Sequence, residues 1–277
     1  MWPLGREVLS AKPLTVAVVG VGGTGSEVVS NLIHLHLGMQ ALGHGGLHVV
    51  AFDPDVVTQA NIVRQRYTPA DIGRSKSETL INRCNFAYAL GWQAVPERFD
   101  SGYARRGWDV VISCVDTRKA RKQIHGYAHS GFGPFKFWMD CGNDRTTGQV
   151  ILGTPRGKTQ PLKNGLPCAT DIHPELMDTT RRDDTSPSCS AIEALKRQDL
   201  MVNKMVATLA VDLLWRLFRD RQIESHGRYF DLERGTTAAL PIPVRIRKGD
   251  GNAAAGVDEI AARRRKKTSG KATRRVA

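Results

Sequence analysis

Val16-Ala17-Val18-Val19-Gly20-Val21-Gly22-Gly23-Thr24-Gly25-Ser26 runs an apolar stretch into a glycine-rich turn. Glycines let a chain turn tightly and let a phosphate reach the N–H groups that open a helix. The loop alone admits a redox dinucleotide or ATP. The following segments choose between them. Asp53 and Asp55 open the run Asp53-Pro-Asp55-Val-Val-Thr-Gln-Ala-Asn61-Ile-Val-Arg64-Gln65, and Lys76 ends Asp71-Ile-Gly73-Arg-Ser-Lys76. Asp53 stands 28 residues beyond Gly25, further than the roughly 20 of a dinucleotide fingerprint. At a strand end its oxygens suit ribose hydroxyls. Arg64 and Lys76 supply positive charge for a triphosphate. Asp116 follows another apolar run and offers a hard oxygen to Mg²⁺. Hydride transfer needs no such cluster. Nucleotidyl transfer does, because its transition state spreads negative charge over phosphate oxygens.

Cys189 is a second kind of candidate. It lies at the end of an irregular stretch, just before a long helix. A thiol so placed can have a lowered pKa and act as a nucleophile. Cys168, after Pro167, is weaker. His34, His36, His44 and His48 have no regular spacing and read as surface or satisfied side chains.

Alternating elements must position these groups. Residues 14–19 read as a strand and 25–38 as a helix. Residues 47–52 read as a strand ending at Asp53, and 75–90 as a helix. Trp92–Val95 is a short strand, and Asp109–Val115 a buried strand ending at Asp116. Phe135–Cys141 and Gln149–Leu152 are two more. The alternation predicts an α/β domain with a doubly wound, mostly parallel sheet. Residues 153–189 break the pattern, being rich in Pro, Gly, Thr and Asp. A long helix follows, with Met201, Met205, Leu209, Leu213 and Leu217 repeating every four residues beside Val202, Val206, Leu214 and Phe218. Residues 227–232 and 242–247 read as a terminal antiparallel hairpin, with prolines marking an edge.

The chain has 277 residues, 41% hydrophobic and 24% charged, as in ordinary globular proteins. No window approaches the roughly 18 apolar residues of a membrane span. The N-terminus does not read as a signal peptide, so a cytoplasmic location is expected. Five widely spaced cysteines with no CxxC pair argue against a disulfide framework or a four-cysteine zinc site. The net charge of +13 is concentrated at the end, where residues 261–277 hold eight Lys and Arg. That segment reads as a disordered basic tail able to touch nucleic acid, and residues 1–260 as one domain.

The ordered set of motifs resembles the ThiF/MoeB/HesA family, relatives of the ubiquitin-activating enzymes. The family pattern is GxGGxG, then DxDxVxxxNxxRQ, then GxxK, then an aspartate after a buried strand. Each piece is present in order, across about residues 14 to 232. Ser188-Cys189-Ser190, Tyr229-Phe230-Asp231-Leu232-Glu233-Arg234-Gly235 and Leu240-Pro241-Ile242 resemble one subgroup, the PRTRC-system ThiF proteins, encoded in plasmid-type cassettes with a ParB-related protein.

The resemblance implies a Rossmann-like fold with a C-terminal antiparallel addition. It implies adenylation of the C-terminal carboxylate of a ubiquitin-like or small carrier protein by Mg-ATP. Gly20, Gly22, Gly23, Thr24 and Gly25 would pack against the nucleotide, Asp53 would bind ribose, and Asp55 would stand beside it. Asn61, Arg64, Gln65 and Lys76 would surround the phosphates, and Asp116 would hold Mg²⁺. Arg121 matches a family arginine of unassigned role. Cys189 matches in position a cysteine that forms a thioester or persulfide in some members. A homodimer is implied.

Three departures stand out. Thr117 replaces a common asparagine. The two CxxC zinc pairs are absent, so no structural zinc is expected. Only Arg6 precedes the first strand to reach a partner subunit's phosphates. Two alternatives stay open: a ThiF-like enzyme acting on a tRNA base carboxylate, and a non-catalytic ATP-binding adaptor in a plasmid-maintenance cassette.

Overall fold

The computed structural model describes residues 1–4, 12–131, 135–155, 165–181, 183, 195 and 198–243. Trp2–Pro3 (β1) is followed by Leu14–Val19 (β2), Gly23–Ala41 (α1) and Leu47–Phe52 (β3). Next come Lys76–Tyr88 (α2), Gln93–Val95 (β4), Ser101–Ala104 (α3), Trp108–Ser113 (β5) and Arg118–Ala128 (α4). The last described elements are Phe135–Asn143 (β6), Thr147–Gly153 (β7), Ala169–Ile172 (α5), Val202–Asp220 (α6), Gln222–Ile223 (β8), Ser225–Asp231 (β9) and Thr236–Pro241 (β10).

β2, β3 and β5 are almost wholly apolar because helices cover both faces of the sheet. The eight-stranded order is β10-β9-β7-β6-β5-β2-β3-β4. The pairs β6-β5, β5-β2, β2-β3 and β3-β4 are parallel. β7, β9 and β10 add antiparallel strands beyond β6. The winding reverses at β2, with β3 on one side and β5 on the other. Ligands of such sheets bind at that reversal, beyond the carboxyl ends of the strands.

Alternate residues of the strands feed two cores. Val16, Val18, Val49, Val110 and Ile112 pack with α1 and α6. Ala17, Val19, Phe52 and Val111 pack with Ile124 and Ala128 of α4 and with an aromatic group of Phe99, Trp108, Phe135 and Trp138. α1 and α6 come close at Gly38, where a Cβ would stand 3.1 Å from the Trp215 ring.

Several boundaries differ from the sequence reading. β5 stops at Ser113, so Asp116 lies in the loop beyond it. The terminal hairpin pairs β9 with Thr236–Pro241, not with 242–247. Gly235, at φ +62°, closes its tight turn. The buried seam of α6 is Val202, Val206, Ala210, Leu213, Leu214, Leu217 and Phe218. Met201 is half exposed and precedes the first residue of α6. The irregular stretch carries α5 and a 3₁₀ turn at Pro174–Met177 in its described part. Cys189, Arg6 and the basic tail lie outside the described residues.

Candidate active site

The glycine loop sits where β2 ends. Gly20 adopts φ +84°, and a Cβ there would stand 3.0 Å from the carbonyl oxygen of Cys114, the residue just beyond β5. Gly25 tolerates no Cβ at all: one would lie 1.8 Å from the Gly20 carbonyl oxygen. These two glycines let the chain fold back on itself. Gly22 has a different role, since a Cβ there would meet only the Gln65 Nε2, at 3.9 Å. Its outer side is open.

α1 begins at Gly23 with no side-chain cap and no acid in its first turn. Its first internal bond runs from the Ser26 N–H to the Gly22 carbonyl. The N–H groups of Gly23, Thr24 and Gly25 therefore have no partner within the helix, and the dipole adds positive potential there. Those N–H groups suit an anion such as phosphate.

Asp53 follows β3 and is buried. Its Oδ2 accepts the Val21 N–H at 2.7 Å, and its Oδ1 accepts the Asp55 N–H at 2.9 Å. Burial pushes its pKa up, against the opposing pull of Lys76 and the two N–H donors. The carboxylate thus buttresses the glycine loop while its remaining lone pairs stay available. Lys76, the first residue of α2, is itself buried and reaches Asp55 Oδ2 at 3.0 Å. Asp55 is the exposed member of that pair.

Residues 61–67 strap onto the loop. Tyr67 Oη donates to the Val21 carbonyl at 2.7 Å. The Arg66 N–H reaches Ser26 Oγ, and Arg66 Nε pairs with Glu27 at 2.8 Å. Asn61 is spent locally, its Oδ1 accepting the Thr58 N–H to close a 3₁₀ turn. Arg64 donates through Nη1 to Gln198 Oε1.

Gln198 belongs to a half-buried polar chain that the sequence did not disclose. Gln198 Nε2 donates to Asn143 Oδ1 at 3.1 Å, and Asn143 Nδ2 donates to Asn203 Oδ1 at 2.8 Å. The Thr24 hydroxyl also donates to Asn203 Oδ1, at 2.9 Å. Thr24 therefore turns its side chain inward, leaving its N–H for a ligand. The chain joins the starts of α1 and α6, the end of β6, and Arg64.

Asp116 lies exposed in the β5–α4 loop. Thr117, not Asp116, caps α4, its Oγ1 accepting the Ala120 N–H at 3.1 Å. The loop is pinned from below by Arg121. Its Nη2 donates to the Val115 carbonyl at 3.0 Å, and its Nε pairs with Asp140 Oδ1 at 2.9 Å. Ser113 Oγ donates to the same carboxylate oxygen and accepts from Trp138 Nε1. Both members of the ion pair are buried. Arg121 is thus a loop anchor, and Asp140 is its unforeseen partner. His36, by contrast, is satisfied at Nδ1 by the main chain of Leu47.

The glycine loop, Asp53 and the Asp116 loop all leave the carboxyl ends of adjacent parallel strands. With Lys76 and Arg64 the group offers N–H donors, two cations, the buried Asp53 carboxylate and the exposed Asp55 and Asp116 carboxylates. It suits a nucleotide triphosphate with a divalent ion. The exposed oxygens of Asp116 are the hard donors Mg²⁺ prefers.

Comparison with known proteins places the fold. The chain is 32% identical over 212 residues to ubiquitin-like modifier-activating enzyme 5 of Caenorhabditis elegans, covering 71% of this chain and 44% of that one. It is 27% identical to the Xenopus laevis protein of the same name, covering 72% and 48%. The chain therefore spans less than half the length of these relatives. Among solved structures, PaaA superposes with a TM-score of 0.58 at 17% identity, covering 84% of this chain and 65% of that one. Escherichia coli MccB with AMPCPP and MccA superposes with a TM-score of 0.55 at 15% identity, covering 85% and 65%. These similarities establish the shared fold. The ThiF family model matches residues 5–246, and the chain belongs to the ThiF family.

Proposed function

We propose that this protein is an ATP-dependent adenylyltransferase that activates the C-terminal carboxylate of a ubiquitin-like or small carrier protein. The observation that supports it most is the convergence of the open glycine loop, Asp53, Lys76 and Asp116 on one strand-end edge. The relatives, which are ubiquitin-like modifier-activating enzymes, and the MccB–MccA complex support the same reading.

In this reading the α1 N–H groups and the Gly22 surface hold the phosphates, and Asp53 receives the ribose. The partner's carboxylate attacks the α-phosphorus, a P–O bond forms, and the bond to pyrophosphate breaks. A carboxylate is already ionised at neutral pH, so no general base is required. Arg64 and Lys76 face the charge that builds on the phosphate oxygens. Asp116 would hold Mg²⁺, which supplies further charge neutralisation when bound. Cys189 would accept the acyl group from the adenylate, releasing AMP.

The test is ATP–pyrophosphate exchange, run with small glycine-ended proteins encoded beside this gene. Exchange with one of them, lost in Arg64→Ala and Asp116→Asn, is expected. ATP binding without exchange for any partner overturns the enzyme reading and leaves the adaptor. A Cys189→Ser variant that still forms a reducible partner adduct removes the acyl-acceptor role.

A further inference from the structure

We propose that His129, Cys168 and Asp171 form a zinc site at the far end of α4 from Asp116. Among the described residues these three alone bring a nitrogen, a sulfur and a carboxylate oxygen together, all within 4.8 Å of one another. Tetrahedral zinc with bonds of roughly 2.0–2.3 Å sets its ligands about 3.3–3.8 Å apart. A contraction of about 1 Å closes the site, which surface-side rotamer changes in His129 and Asp171 can supply.

The local structure prepares each donor. His129 Nδ1 lies 3.0 Å from the His125 carbonyl, which can only accept. Nδ1 therefore carries the proton, and the lone pair of the neutral ring is on Nε2. That Nε2 is buried and has no hydrogen-bond partner. A carbonyl fixing one ring nitrogen while the other meets a metal is the usual outer-shell arrangement of zinc histidines.

Cys168 caps α5, and Asp171 reaches back to accept the Cys168 N–H at 2.8 Å. This turn puts thiol and carboxylate on one side. α5 is also tied to α4, because Thr170 Oγ1 lies 2.8 Å from His125 Nδ1, and the His125 ring stacks on His129 at 4.2 Å.

Cys168 is buried while Asp171 is exposed, so the carboxylate side opens to solvent. Three protein ligands with water in the fourth position result. Mixed sulfur, nitrogen and oxygen donors in that number favour zinc over magnesium or calcium. Binding converts the Cys168 thiol to a thiolate and releases its proton to solvent. The site pins the start of the irregular stretch onto α4. It differs from the absent CxxC pairs in using one cysteine and a histidine from a different element.

The probe is Co²⁺, titrated into the full chain after chelator treatment and followed by absorbance. One equivalent per chain is expected, with a thiolate-to-cobalt charge-transfer band that Zn²⁺ abolishes by displacement. The band should vanish in Cys168→Ser and His129→Gln and persist in Cys189→Ser. Asp171→Asn should weaken binding at least about tenfold. If Cys168→Ser fails to fold by circular dichroism, His129→Gln and Asp171→Asn decide, since both positions lie nearer the surface. No band in the parent, a band surviving Cys168→Ser, or affinity unchanged in both other variants overturns the site. None of these readouts depends on nucleotide chemistry.

Discussion

Replacing Gly25 with alanine is the sharpest available test of how the nucleotide loop is built. The new Cβ would stand 1.8 Å from the Gly20 carbonyl oxygen and 2.8 Å from its carbon. Atoms of this kind do not approach within 3.0 Å, so the loop must open by about 1.2 Å. The obstacle is main chain and cannot rotate aside. Overpacking in rigid surroundings costs about 1–3 kcal/mol, with this case at the upper end. Alanine regains up to about 1 kcal/mol of helix propensity, leaving a net loss of about 2 kcal/mol.

A matched control exists at Gly126, within α4, where an added Cβ meets nothing within 4 Å. The same substitution there should stabilise by about 0.5–1 kcal/mol. Urea unfolding of the two variants reads the opposite signs directly. Calorimetric titration with ATP should show binding lost in Gly25→Ala and intact in Gly126→Ala. A 1 Å displacement of the loop should also slow any step at the α-phosphorus roughly 100-fold. If Gly25→Ala unfolds within 0.5 kcal/mol of the parent, or binds ATP as well, the close contact does not shape this loop.

Three further outcomes follow from buried groups. Asp140→Asn leaves the Arg121 charge unpaired and sets an amide nitrogen where Asp140 Oδ2 has no partner; it should cost about 3–5 kcal/mol by urea unfolding, while Arg121→Met with Asp140→Leu costs less. Equal costs would remove the charge argument. Burial lowers the pKa of His226, despite its bond to the Leu152 carbonyl. Below about pH 6.5 the unfolded chain therefore takes a proton that the fold refuses, and stability falls by about 1.4 kcal/mol per pH unit down to the folded pKa. Unfolding at pH 7.5, 6.5 and 5.5 should show a shallower acid limb in His226→Gln, and an unchanged limb would refute this. Asn203→Ala strips the shared acceptor from Thr24 and Asn143; a loss of about 1–3 kcal/mol is expected, with weakened ATP binding, whereas weakened stability alone would confine Asn203 to a packing role.

The sequence marked the residues proposed to face a ligand and concealed those that hold them. The strand-end order and the spacing of Gly20, Asp53, Lys76 and Asp116 are local features, and a phosphate site demands those types there. Partners such as Thr24 with Asn203, or Arg121 with Asp140, are chosen by the fold across distant parts of the chain. Asn143, Gln198 and Asn203 are residue types that normally face water, so no pattern marks the buried Asn203 or its half-buried partners. The phase error on α6 has a related cause. Its buried face includes small residues, Ala207 and Ala210, which add little to an apolar stripe. Large Met201 and Met205 dominated the pattern instead.

Thr117 shows how these two levels combine. The family pattern marks it as a departure beside Asp116, the proposed metal ligand. In the fold it takes the helix cap, the one local role that Asp116 would otherwise fill. Asp116 is thereby left facing outward, on a loop whose preceding carbonyl is fixed by Arg121. A departure at the asparagine position is therefore compatible with a working carboxylate. The residue whose loss would disable the loop is Asp140, on the adjacent strand β6 and absent from the motif.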